Sequence, residues 1–217
     1  MGSLDREACL PKGGIVKKAG IIVYPQFSLQ EISCLTELFK FNGKEITVFS
    51  STLDVVKSED GFSIVPDKVF SKFDRELYDC IVLPGLWDYR CALNNDAIIE
   101  FLKRFKDDIN INIGSISSSP ILLAKAGILD DRKFCAGLYE EVIDKYEFIP
   151  RKNLVRKPIY EDRNLITALG FAYREFAISV ARKVGIQCSN EEFKGIIKED
   201  YKDEELIFHT NMDYKEL

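Results

Sequence analysis

Residues Ile109–Leu129 read I-N-I-N-I-G-S-I-S-S-S-P-I-L-L-A-K-A-G-I-L, and this stretch decides the fold. Ile109, Ile111 and Ile113 are β-branched residues at the two-residue period of a strand. Ser119-Pro120 then offers an N-cap hydroxyl and a proline at the first helical position, so a helix starts almost without a loop. Between them lies Ser115-Ile-Ser-Ser-Ser119, a small-x-Ser-x-small run close to the G-x-S-x-G elbow. Small neighbours permit the strained turn that lifts one side chain above a sheet, and the residue at the tip is Ser117.

Working toward the N-terminus, Tyr78–Leu83 is a buried strand that ends in Pro84-Gly85-Leu86-Trp87. Asn95 or Asp96 caps a helix with Ile98, Phe101, Leu102 and Phe105 on one face. Val55-Val56 and Phe62–Val65 flank Ser58-Glu-Asp-Gly61, whose Asp-Gly pair predicts a small peripheral hairpin. Ala19–Tyr24 is an apolar run stopped by Pro25, and Glu45–Ser50 is a further strand. The helix between them starts at Ser28-x-x-Glu31, which has the form of a capping box, and closes at Gly43. Residues 1–18 are polar and without period, which reads as a loose leader.

Toward the C-terminus, Gly127 is placed to end the elbow helix as a left-handed cap, and Lys133–Ala136 reads as an edge strand. Gly137–Tyr146 is a helix or turn, and Asn164–Ala168 is another strand. Gly170 precedes a helix carrying Phe176, Ile178, Val180, Ala181 and Val184 that stops at Gly185. Ser189-x-x-Glu192 repeats the capping-box form ahead of a last charged helix, so 186–217 is a charged extension of the domain at 19–185. Strands alternating with helices define an α/β sandwich around a mainly parallel sheet. Ligands of such sheets bind at the carboxyl ends of the strands, where Pro25–Phe27, Pro84–Leu86 and Ser115–Ser119 would share one rim.

Composition narrows the function. A chain of 217 residues with a net charge of -5 has no general attraction for nucleic acid or anionic membrane, and its apolar runs are too short to span a bilayer. Six cysteines without a C-x-x-C pair read as reduced thiols, which places the chain in the cytoplasm. The single histidine, His209, excludes a His-rich zinc site and lies in the charged tail, where solvation is expected. No metal and no cofactor is expected.

The order Y-P-Q-F-S-L-Q-E at Tyr24–Glu31, V-L-P-G at Val82–Gly85, S-I-S-S-S-P at Ser115–Pro120 and N-L-I-T-A-x-G at Asn164–Gly170 resembles the DJ-1/PfpI superfamily, also called ThiJ/PfpI. The resemblance implies a flavodoxin-like three-layer sandwich related to class I glutamine amidotransferase domains, and a homodimer. The family elbow usually reads A-x-C-x-G-P, with a cysteine nucleophile or oxidation sensor and an acidic partner from the first helix. Those places fall on Ser117 and Glu31. The usual glycine is Ser119, the second glycine of the L-P-G-G loop is Leu86, and no histidine occurs at 135–138.

These departures matter because a serine hydroxyl needs a base, and a carboxylate of ordinary pKa ~4.3 is a weak one. Two readings follow. In the first, the chain is a degenerate member whose pocket at Glu31, Gly85 and Ser117 holds a small polar metabolite. In the second, it is a hydrolase, amidase or lyase-like enzyme with Ser117 as nucleophile and Glu31 as acid/base. The Gly85 and Ser118 N–H groups, beside Leu86, would then form an oxyanion hole. Each residue also has a plainer role open to it. The Ser117 hydroxyl can bond nearby backbone, Glu31 can be the capping partner of Ser28, and Cys135 can be a packed thiol. Trp87 and Tyr89 can line a pocket or a subunit contact.

Overall fold

The computed structural model describes residues 17–193 and 200–209. Nearly all of the predicted leader, and most of the last charged helix expected after Glu192, lie outside the described residues. The chain runs β1 (Lys18–Ile22), α1 (Gln30–Phe41), β2 (Ile46–Ser50), β3 (Val56–Lys57), β4 (Ser63–Ile64), β5 (Lys68–Val69) and β6 (Tyr78–Leu83). It continues with α2 (Tyr89–Leu93), α3 (Asp96–Lys103), β7 (Asn112–Ile116), α4 (Pro120–Lys125), α5 (Glu140–Lys145), β8 (Ile159–Asp162), β9 (Leu165–Ala168) and α6 (Tyr173–Lys183).

Seven strands form one sheet in the order β5-β2-β1-β6-β7-β9-β8, parallel throughout except for the antiparallel pairing of β8 with β9. Helices α1 and α6 pack on each other, α6 lies against β7 and β9, and α2, α3 and α4 form a second group. The central strands are covered on both faces, which is why Ile21, Ile22, Ile81, Val82 and Leu83 are all buried. The hairpin β3–β4 is a separate two-stranded sheet, as the Asp60-Gly61 turn predicts.

The central strand departs from its predicted span. It occupies 112–116 rather than 109–113, with Cys80–Leu83 paired to Asn112–Ser115. Ile109 is left 66% exposed because the Asn110 N–H bonds Asp108 Oδ1 and turns the chain before the strand begins. Gly114 lies inside the strand for a packing reason. A Cβ there would come within 2.9 Å of the Phe176 ring and 3.1 Å of Val180 on α6. Lys133–Ala136 is no edge strand and makes only an isolated bridge between Phe134 and Leu154; the edges are β5 and β8. Gly43, Gly127 and Gly185 take positive φ where their helices end, as expected.

Two predicted helix caps are replaced by other contacts. Ser28 does not form a capping box with Glu31, because the Ser28 N–H bonds Gly85 O at 2.7 Å and Glu31 points elsewhere. The start of α1 is held from the hairpin instead, by Asp60 Oδ2 accepting the Leu29 N–H at 2.7 Å. Ser119 precedes α4 but makes no side-chain cap, since its hydroxyl is used inside the elbow.

Candidate functional site

The three predicted loops meet at one rim. Phe27 bridges Leu86, the Trp87 N–H bonds Gln26 O at 3.0 Å, and the Tyr24 hydroxyl donates to Pro84 O. The elbow is fastened to this rim by two of its serines. Ser118 Oγ donates to Leu86 O at 2.8 Å and accepts the Leu86 N–H at 3.0 Å. Ser119 Oγ accepts the Ile116 N–H at 3.0 Å and lies 2.9 Å from Leu83 O, 2.8 Å from Ile116 O and 2.7 Å from Ser115 Oγ.

Ser117 sits at the tip with φ 62°, a left-handed conformation that costs a residue with a Cβ about 1–2 kcal/mol. Its backbone is clamped on both sides, its N–H on Ala168 O at 2.8 Å and its carbonyl accepting the Gly137 N–H at 2.7 Å. The side chain is therefore presented to Glu31, which comes from the first turn of α1. A Cβ on Gly85 would stand 2.3 Å from Glu31 Oε2 and 2.9 Å from Ser117 Oγ, and one on Gly170 would stand 2.7 Å from Glu31 Oε1 and 3.2 Å from Ser117 Oγ. The two glycines thus leave the space in which carboxylate and hydroxyl meet.

Glu31 Oε2 accepts the Gly85 N–H at 2.7 Å. Burial pushes the Glu31 carboxyl up to about 7, against the pull of the Ser117 hydroxyl and the Gly85 N–H, and the charges of Glu59 and Asp60 push in the same direction as burial. At neutral pH the group is shared between acid and carboxylate. The expected oxyanion set is altered by this arrangement. The Gly85 N–H is taken by Glu31 and the Leu86 N–H by Ser118 Oγ, so the Ser118 N–H is the one of the three without a bonded acceptor among the described residues.

Neither Cys135 nor His209 is placed to act at the tip. The Cys135 N–H donates to Thr167 Oγ1 at 2.9 Å, its thiol lies 3.2 Å from Thr167 O, and burial pushes that thiol up to about 12, so it is a packed group. His209 is exposed, with Nδ1 3.2 Å from Glu141 Oε1, and lines neither cavity over Ser117. No group of three or more His, Cys, Asp or Glu that could hold a metal ion occurs among the described residues.

Two cavities open over the elbow. One, of about 220 Å³, is lined by Glu31, Glu59, Leu86, Trp87, Tyr89, Ser117, Ser118, Gly137, Leu138, Tyr139 and Val142. The second, of about 210 Å³, shares Ser117, Gly137 and Tyr139 and adds Gly170, Phe171 and Phe208. The C-terminal segment borders the second cavity, where Phe208 bridges Tyr139 and its carbonyl accepts the Glu140 N–H at 3.2 Å. Glu59, Tyr139, Val142, Gly170, Phe171 and Phe208 are among the site residues the sequence reading missed. Gly170 carried a signal in the A-x-G ending of its strand, while Glu59 and Phe208 reach the site only through tertiary packing.

A profile of the DJ-1/PfpI family matches residues 17–183, and the chain belongs to that family. It is similar to the dj-1beta protein of Drosophila melanogaster, 25% identical over 187 residues that cover 83% of this chain and 97% of the relative. A protein of Pyrococcus horikoshii named a deglycase is 29% identical over 113 residues, 52% of this chain and 61% of that protein. Among solved structures, a DJ-1 superfamily protein from Agrobacterium tumefaciens superposes with a TM-score of 0.72 at 21% identity, covering 81% of this chain and 94% of the other. Drosophila DJ-1beta superposes with a TM-score of 0.66 at 22% identity, covering 79% and 91%. No helix among the described residues is long and apolar enough to cross a membrane.

Proposed function

We propose that this chain is a degenerate DJ-1/PfpI protein that binds a small polar metabolite in the cavity over Ser117. The observation that carries the reading is the poverty of the nucleophile's surroundings. Ser117 has a half-buried carboxyl at hand but neither imidazole nor thiol, and of the two expected oxyanion donors the Gly85 N–H is taken by Glu31. A serine hydroxyl activated by one carboxyl falls well short of a full triad. The same surroundings suit reversible binding, since a hydroxyl and a carboxyl that can donate or accept face a space of about 220 Å³.

The second reading is an enzyme of hydrolase or amidase type with Ser117 as nucleophile, and the position of Glu31 near 7 favours it, because a base works best when its pKa is close to the working pH. A serine-directed fluorophosphonate separates the two. The binding reading expects no stoichiometric adduct by intact-mass spectrometry; an adduct that forms on the natural protein and is lost in Ser117→Ala would establish the enzyme instead. A homodimer belongs to the same proposal, and sedimentation that finds monomer alone at micromolar concentration would remove it.

A further inference from the structure

The walls of the 220 Å³ cavity are chemically one-sided. Two carboxylates reach it from different elements, Glu31 from the first turn of α1 and Glu59 from the turn of the β3–β4 hairpin. Trp87, Tyr89 and Tyr139 add aromatic rings to the wall beside the aliphatic Leu86, Leu138 and Val142, and no lysine, arginine or histidine lines it among the described residues. Arg90, adjacent to Tyr89 in the chain, is engaged by Asp88 at 2.8 Å. The neighbouring Asp60 adds a third negative group at the rim, spent on the Leu29 N–H.

Resting on the binding reading above, we propose that this cavity takes a small organic ammonium ion, seated between Glu31 and Glu59 and faced by Trp87, Tyr89 and Tyr139. Three physical arguments converge on that class. A cation supplies the countercharge that the half-buried Glu31 lacks, whereas an anion would meet two carboxylates at close range. Aromatic faces attract ammonium groups, tryptophan most strongly, and Trp87 is 81% exposed with its ring free to lie against a ligand. The volume, below that of ordinary drug-sized pockets, restricts the occupant to a few heavy atoms. An alkylammonium also has N–H donors to spend on the acceptors grouped at the base, including Ser117 Oγ. The hairpin turn is thereby a specificity element, although it stands outside the main sheet.

The test uses three probes of matched size at constant ionic strength, namely propylammonium chloride, 1-propanol and sodium propionate, titrated into the full chain and followed by two-dimensional amide NMR. Propylammonium is expected to give saturable shifts at the elbow and the hairpin turn, with an affinity several-fold above either of the others. Glu59→Gln and Trp87→Ala, both on exposed positions that leave the core intact, should each weaken it by about threefold to tenfold. If 1-propanol or propionate binds as well as the ammonium, or if the two substitutions leave its affinity unchanged, the cation assignment is overturned while the small-ligand reading stands. If none of the three gives saturable shifts, the cation assignment is lost, and Ser117-dependent phosphonate labelling would then remove the binding reading as well.

Discussion

The two ends of the central sheet handle buried polar groups in opposite ways. At the amino ends of the strands, Arg132 is buried and bonds Asn164 Oδ1 at 2.9 Å and Lys106 O at 3.0 Å, with Nε as its one unpartnered nitrogen. Asn164 goes on to Ile111 O at 2.6 Å and Asp108 O at 3.0 Å, and Arg75 grips the Asp108 carboxylate. Lys44 closes the same end by pairing with Asp79 at 2.7 Å. Charges there meet countercharges or carbonyls, so the network is structural. At the carboxyl ends, Glu31 is held away from water with two acidic neighbours, and Ser117 is forced into left-handed backbone. Unmatched charge and strain at one end, beside matched charge at the other, mark which end is free to meet a ligand.

The largest effect should come from the matched end. Arg132→Ala removes a large buried side chain and strands Asn164 Oδ1 and Lys106 O, at an expected cost of about 3–5 kcal/mol in urea unfolding. A loss under about 1 kcal/mol would erase the contrast between the ends.

Next is a pH effect at the unmatched end. Because the folded-state pKa of Glu31 is raised from 4.5 to about 7, its stabilising contribution is complete below pH 4.5 and is lost as pH rises through 7. Glu31→Gln should therefore gain stability over the natural protein as pH increases across that window, by on the order of 3 kcal/mol at pH 8 relative to pH 4. Parallel stability curves for the two proteins would mean that Glu31 is ordinarily solvated. The smallest effect is backbone relief: Ser117→Gly removes the strain of a positive φ and adds freedom to the unfolded chain, for a net gain of about 0.5 kcal/mol. A clear loss of stability would show that the Ser117 hydroxyl helps hold the elbow.

Much of the fold was legible because its central strands are buried on both faces and so appear as short apolar runs, as at Ala19–Ile22 and Cys80–Leu83. The elbow was legible from its small residues, and the rim followed from the rule for parallel sheets. Edge strands β5 and β8 escaped because they are short, carry charge, and bury little. The local role of Glu31 was misread for a physical reason. Ser28-x-x-Glu31 satisfies the capping pattern, but Asp60, 31 residues from Leu29, supplies the cap and leaves Glu31 free to turn inward. A contact at that separation leaves no trace in local spacing, and the same hairpin turn brings Glu59 to the cavity.

The fastening of the elbow separates shape from reactivity. The Ser118 and Ser119 hydroxyls bond Leu86, Leu83, Ile116 and Ser115 and so tie the turn to neighbouring strands and loops, while the Ser117 backbone is clamped through its amide and carbonyl alone. Exchanging oxygen for sulfur at that single atom would thus change what the molecule can attack or sense without disturbing an anchor, so the architecture can outlive, or regain, any particular chemistry placed upon it.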